Sequence, residues 1–306
     1  MVLSDTPKKS PDFSVIVNCR NSDRFLKQCL DSIQDQTHSE FEVIVWDNMS
    51  VDSTLEIASK YSETDSRFKV FRGSTPLKLG EARNRAIQES QGRYIAFLDS
   101  DDMWHSTFLS DHIRVLDSYD QEIFGIGNVI EIDAVFRLTK DVTFDSVIFK
   151  PLQLRKIFKK LLKGNTVYFS SLVIPKQFFN YNAGFRPEYV QAEDYELLLR
   201  AAKKMKCYKI GLAYYRIHEG NVTNSQHEAL FIETLEILRP YTKFVLGWIT
   251  FKLTAARYFF YLSDTNFKGR LRKLKTHKIN VTDLLMGTII LTLVAVKSKM
   301  FGKRSS

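Results

Sequence analysis

The sequence predicts an α/β fold, a mostly parallel sheet flanked by helices, followed by a helical C-terminal region that is both basic and apolar. Three observations carry this. Short β-branched apolar runs alternate with amphipathic helical periods along positions 12–226. Each of the early runs ends on polar residues, as strands do when the space beyond their carboxyl ends is kept for a ligand. The charge is also divided unevenly. Residues 227–306 hold 14 of the 44 lysines and arginines and 5 of the 35 acidic residues, so the whole +9 excess lies there and positions 1–226 are balanced.

A chain of 306 residues, 44% hydrophobic and 26% charged, is long enough for one large α/β domain with an appendage, and this composition excludes general disorder. Its first twelve residues, MVLSDTPKKSPD, contain no apolar stretch, so positions 1–11 are expected to be a disordered lead-in and not a secretory signal. Cys19, Cys29 and Cys207 are odd in number and lack CxxC spacing. That argues against a disulfide framework or zinc site and for a reducing compartment.

In chain order, FSVIVN (Phe13–Asn18) is a buried strand, and Ser22 opens a helix in which Phe25, Leu26, Cys29, Leu30 and Ile33 recur at helical spacing. FEVIVWD (Phe41–Asp47) is a second strand, with a helix opening at Asp52 or Ser53 and running through Tyr61. FKVFRG (Phe68–Gly73) is a third strand, followed by a helix over Gly80–Glu89 and a strand over Arg93–Leu98. Further on come a helix over Thr107–Tyr119, a strand over Ile123–Ile130, and a basic helix over Pro151–Gly164 with proline at its start and glycine at its stop. A strand over Val167–Ile174, a turn at Asn182 and Gly184, a helix over Glu193–Met205 and a strand over Cys207–His218 complete the domain. Residues 131–150 fit strand or loop.

The strand YIAFL runs straight into Asp99, Ser100, Asp101 and Asp102. Three carboxylates in four positions repel one another, and burying one unpaired is costly. A divalent cation resolves this, because Mn2+ and Mg2+ take oxygen ligands from one or two carboxylates plus substrate phosphates. Residues i and i+2 of an extended chain face the same way, so Asp99 and Asp101 can address one ion, with Asp102 turned elsewhere or capping the next helix. Asp47 and Asp52, at a strand end and a helix start, suit a base and a ribose, and Asp52 also suits a cap. Arg83 and Asn84 near a helix N-terminus suit phosphate oxygens.

SVIVNCRN, VIVWDNMSVDST, GEARNRAIQESQGRYIAFLDSDD and AEDYELLLR, in this order, resemble the family 2 nucleotide-sugar glycosyltransferases of GT-A (Rossmann-like) fold over residues 12–224. The sequence departs from the family pattern at Asn18-Cys19-Arg20-Asn21, where Pro-Thr-Tyr-Asn is common, and at Asp47-Asn48, where Asp-Asp is common. The resemblance implies a nucleotide-sugar site made by Asn18, Arg20, Asn21, Asp47, Asn48, Arg83, Asn84 and Asp99, with Asp47 on the nucleobase. Asp101 would hold the metal bridging the diphosphate, with Asp99, Asp102 and His218 as further candidate ligands. It also matches Asp194 to the base of an inverting transfer, with Glu193 touching acceptor or orienting the site. Trp104, directly after the acidic cluster, is an aromatic suited either to stacking on an acceptor sugar or to the core.

The expected activity is a metal-dependent inverting glycosyltransferase using a UDP-linked donor, Mn2+ or Mg2+, and a glycan or lipid-linked acceptor in cell-surface polysaccharide synthesis. Alternatives are a polyprenyl-phosphate sugar synthase, whose acceptor needs no strong base, and an inactive sugar-nucleotide-binding scaffold. Beyond position 226, KGRLRKLKTHK (Lys268–Lys278) is densely basic and LLMGTIILTLVAV (Leu284–Val296) is uncharged. As a helix that apolar run covers roughly 20 Å, short of the hydrocarbon core of about 30 Å. Residues 227–306 are therefore expected to lie on an anionic membrane surface at its cytoplasmic face, with a helical bundle as the alternative. No nucleic-acid-binding motif accompanies the charge.

Overall fold

The computed structural model describes residues 10–119, 122–139, 156–221, 227–243 and 245–261, with scattered positions between 270 and 288. Most of the lead-in, residues 140–155, most of the basic run and most of Leu284–Val296 lie outside the described residues. The chain forms two compact units, one of Met1–Ile157 with Val167–Glu219 and one of Phe158–Thr166 with Gly220–Ser306.

In the first unit, strands β1 (Phe13–Cys19), β2 (Phe41–Asp47), β3 (Phe68–Arg72), β4 (Tyr94–Phe97), β5 (Met103–Trp104), β6 (Ile123–Ile132), β7 (Leu172–Pro175) and β8 (Lys206–Arg216) form one sheet of order β3-β2-β1-β4-β7-β6-β8-β5. Pairs β1–β2, β2–β3, β1–β4 and β6–β8 are parallel, whereas β7 inserts antiparallel between β4 and β6, and β5 pairs antiparallel with β8. The alternation of strand and helix foretold the parallel part. It could not foretell β7, whose short apolar sequence reads the same in either direction.

β2 is buried along its whole length and β1 at all but Asn18, as strands with both faces covered must be. Val15, Val17 and Cys19 of β1 pack with Leu26, Cys29, Leu30 and Ile33 of helix α1 (Asp23–Gln34), which is why that helix keeps its apolar residues on one stripe. Helices α2 (Thr54–Thr64), α3 (Leu79–Gln88) and α4 (Phe108–Leu116) fall within a few residues of their expected positions. The register aligns the strand ends: Cys19 lies beside Asp47, and Asp47 beside Arg72. The expected turn near Asn182 is preceded by a short helix, and Ala183 and Gly184 both take positive φ, 59° and 63°.

The second unit contains α5 (Phe158–Leu161), α8 (His227–Leu238) and α9 (Val245–Tyr261); of the helix expected over Pro151–Gly164, residues 151–155 lie outside the described residues, and among the described ones Phe158–Leu161 alone is helical. Between α5 and α8 in sequence, α6 (Gln177–Asn182) and α7 (Glu193–Lys204) belong to the first unit. In the second unit Glu228 accepts a hydrogen bond from Tyr258 at 3.0 Å and pairs with Lys273 at 2.9 Å. Lys252 pairs with Asp283. Among the described residues no helix is long and apolar enough to cross a membrane.

His112 of α4 is wholly buried, its Nδ1 2.9 Å from the Tyr208 hydroxyl and its Nε2 without a hydrogen-bond partner. Burial pushes its pKa down to about 3. The unfolded chain takes up a proton at this histidine near pH 6.5 while the folded chain does not, so stability falls as pH drops below 6.5. Between pH 7.5 and 5 this amounts to about 2 kcal/mol. His112→Gln is therefore expected to show a shallower fall of thermal midpoint across that range than the parent protein, measured by scanning calorimetry.

Candidate active site

The carboxyl rim of the central strands gathers the expected residues. Past β4 the chain turns tightly, with the Asp102 N–H donating to the Asp99 carbonyl at 3.0 Å. The turn separates the three aspartates. Asp99 and Asp101 stay partly exposed, and Asp102 turns into the core at 1% exposure.

Each carboxylate meets a different partner. Asp99 Oδ1 receives Arg83 Nη2 at 2.9 Å. Asp101 Oδ2 lies 2.9 Å from His218 Nε2. Asp102 accepts from the Ser170 hydroxyl at one oxygen and from the Arg216 backbone N–H, at 2.8 Å, at the other. Burial and the charges of Asp101 and Asp99 push the Asp102 carboxyl well up. With both oxygens engaged inside the core, Asp102 is a structural residue, and the metal-ligand role considered for it is not supported. Burial and the neighbouring Asp99 push the Asp101 carboxyl up as well, with His218 opposing. A cation beside Asp101 would relieve that repulsion.

Arg83 spans the site. It is 4% exposed, its Nη1 bonds Glu193 Oε1 at 2.7 Å, and its guanidinium lies 3.9 Å from the Phe169 ring centre and 5.6 Å from that of Phe185. With its guanidinium committed to two carboxylates and two rings, Arg83 holds the acidic turn to the N-terminus of α7. Burial pushes the Glu193 pKa up to about 7 despite that guanidinium, and Asp194 adds to the rise. Asp194 is less buried than Glu193, and its Oδ1 accepts from the Tyr195 N–H at 2.6 Å. It stands in the first turn of α7, where the helix dipole favours a carboxylate.

Two of the four asparagines expected at the nucleotide, Asn48 and Asn84, each clasp a loop. Asn48 donates Nδ2 to the Leu77 carbonyl at 2.8 Å and accepts the Leu77 N–H at 2.9 Å. Asn84 does the same with Phe185, at 2.8 Å in both directions. A Cβ on Gly184 would collide with the Asn84 amide, so glycine is required there for contact as well as for φ. Trp104 is 3% exposed, stacks on Phe108 at 4.2 Å between centroids, and donates its indole N–H to the Ser170 carbonyl at 2.6 Å. It is a core residue, and no ring face remains for an acceptor.

The carboxyl ends of β1 and β2 hold unsatisfied polar groups. Asn18 has both amide atoms buried without a hydrogen-bond partner, and Asp47 Oδ2 likewise lacks one, with Arg72 Nε at 3.4 Å. Asp47 Oδ1 accepts from the Ser50 N–H at 3.0 Å. Asn21, at φ 52°, accepts the Val51 N–H at 3.0 Å and shapes this loop, and Arg20 is exposed beside it. Asp52 caps, accepting from the N–H groups of Thr54 and Asp23.

Spacing alone missed Phe169, Ser170 and Phe185. Their contacts with Arg83, Asp99 and Asp102 link positions about 70 to 100 apart, and no local period encodes such distances. Among the described residues no three metal-ligating side chains form a closed cluster. Asp101 with His218 and the adjacent Asp99 nevertheless offers oxygen and imidazole donors suited to Mn2+ or Mg2+. An ion that shares its coordination with phosphate oxygens and water fits such a partial set.

Comparison with known proteins identifies the family. The profile of Glycosyl transferase family 2 matches residues 14–182. The UDP-Glc:alpha-D-GlcNAc-diphosphoundecaprenol beta-1,3-glucosyltransferase WfaP of Escherichia coli is 29% identical over 220 residues, covering 71% of this chain and 82% of WfaP. The crystal structure of S. aureus TarS with UDP-GlcNAc superposes with a TM-score of 0.63 at 22% identity, over 81% of this chain and 71% of that one. The mannosyltransferase PcManGT of Pyrobaculum calidifontis, solved with GDP-Man and Mn2+, gives 0.59 at 15% identity, over 97% and 89%. These structures share the GT-A arrangement of a curled, mostly parallel sheet between helices. With a strand-end carboxylate rim, a GT-A sheet and a profile match over more than half its length, the chain belongs to glycosyl transferase family 2.

Proposed function

We propose that this enzyme is a metal-dependent inverting glycosyltransferase that carries a sugar from a UDP-linked donor to a hydroxyl of a glycan or lipid-linked acceptor in cell-surface polysaccharide synthesis. The observation that carries this reading is the Arg83 bridge, which sets the Asp194 helix start against the Asp99–Asp101 rim. A donor site and a candidate base thus share one buried arginine. The donor named for WfaP, the nucleotide in TarS and the manganese in PcManGT point the same way.

In this reading Asp47 Oδ2, which has the Arg72 guanidinium beside it but no hydrogen bond, takes the ring N–H of uracil, and the Asn18 amide finds its missing partners on the nucleotide. Arg20 and Asn21 border the base. Asp99 faces the ribose, and Asp101 with His218 would hold the ion. A bound divalent ion supplies Lewis-acid stabilisation of the leaving diphosphate. Asp194 takes the proton from the acceptor hydroxyl as its oxygen bonds the anomeric carbon and the bond to UDP breaks on the opposite face. Glu193 keeps Arg83, and so the base, in place. The basic region 227–306 lies against anionic lipid on the cytoplasmic side, close to a lipid-linked acceptor.

Asp194→Asn is expected to lower kcat by about 10²–10⁴-fold with UDP affinity retained, as read by steady-state kinetics and calorimetry. Full activity in that variant would point to a phosphate acceptor. UDP in the presence of Mn2+ is expected to raise the thermal midpoint, with a gain of about 2.7 kcal/mol at one hundred times its Kd. EDTA should remove most of that gain, and an equal shift without metal would count against the ion. Arg83→Met leaves Glu193 buried without its cation and is expected to cost about 3–5 kcal/mol in urea unfolding, part of which Glu193→Gln restores in the double variant.

A further inference from the structure

Arg216, the last residue of β8, is 0% exposed. Arginine is almost never buried so fully unless its charge is answered. Its guanidinium reaches the acidic turn through main-chain oxygen: Nε donates to the Asp101 carbonyl at 2.8 Å, and Nη2 donates to Gln28 Oε1 of α1 at 2.7 Å. Its own backbone N–H is the donor to Asp102 Oδ1. The guanidinium lies 4.5 Å from the Phe25 ring centre, and the His218 ring lies 4.9 Å from that same phenyl group.

We propose that Arg216 is the positioning residue of the acidic turn. One residue grips the main chain of Asp101 and, through its N–H, the side chain of Asp102. Two residues further on, His218 meets the Asp101 carboxylate. The end of β8 therefore holds the turn at three points, and Phe25 backs two of them. Peptide orientation at Asp101 decides where its carboxylate emerges, so Arg216 sets the direction in which Asp101 faces a ligand without touching that ligand itself. The three guanidinium nitrogens point along fixed directions that a lysine ammonium cannot reproduce. The buried positive charge also offsets a turn that holds three aspartates.

The proposal rests on the donor site inferred above, and two measurements on the full chain keep the two ideas separable. The first is amide hydrogen exchange over Asp99–Trp104 in the ligand-free protein, which needs no nucleotide. Arg216→Lys should speed exchange there at least tenfold while the β1 and β2 amides keep the parent's rates. The second is UDP binding by calorimetry with Mn2+ and with EDTA. The variant should lose about tenfold in the Mn2+-dependent component and little in the metal-free component, whereas general loss of structure would lower both. Gln28→Ala, which removes a single contact to the arginine, should raise turn exchange severalfold and serves where the lysine variant folds poorly. Exchange at the turn equal to the parent's in either folded variant overturns the proposal. If the parent itself binds no UDP, the donor reading falls and the exchange result alone judges Arg216.

Discussion

The site depends on one buried cation. Arg83 comes from a helix after the third strand, Asp99 from the end of the fourth, and Glu193 from the start of a helix 110 positions beyond Arg83. None of these contacts is local, and the buried Glu193 carboxylate would be expensive to leave alone. The guanidinium satisfies both carboxylates at once and lies against Phe169 and Phe185. Such a bridge is a poor source of net stability, because well-packed apolar groups would do as well. Its value lies in geometry, since it fixes the distance between the acidic turn after β4 and the start of α7.

The same economy explains how the chain tolerates three aspartates at the mouth of its core. The charges are not pooled. One is given to Arg83, one to His218, and one is turned inward to a hydroxyl and a backbone N–H. Repulsion is thereby divided among separate neighbours, and Asp101, partly exposed beside His218, has its carboxyl pushed up by burial and by Asp99.

Much of the sheet was legible because its strands are apolar runs punctuated by polar ends. β2 was read to the residue, and α1, α3 and α7 to within about two. The rim was legible for the same reason, since Asp47, Asp99 and Asp194 each sit where an element begins or ends. What stayed hidden were directions. Nothing in the spacing says that Trp104 turns inward to Phe108, that Asp102 is swallowed by the core, or that β7 runs against its neighbours. Those outcomes are decided by partners far off in the chain, such as Ser170, whose hydroxyl and carbonyl serve three positions of the acidic segment.

Asn48 carries a consequence for the family pattern. It stands where a second aspartate is common, and its amide meets both polar groups of Leu77 as a neighbouring strand would. A carboxylate has no proton to give to the Leu77 carbonyl and would grip the loop from one side only. By carrying nitrogen in place of one oxygen, this chain stitches residues 73–78 to the end of β2, and the wall beside Asp47 becomes a fixed boundary where a carboxylate would leave a hinge.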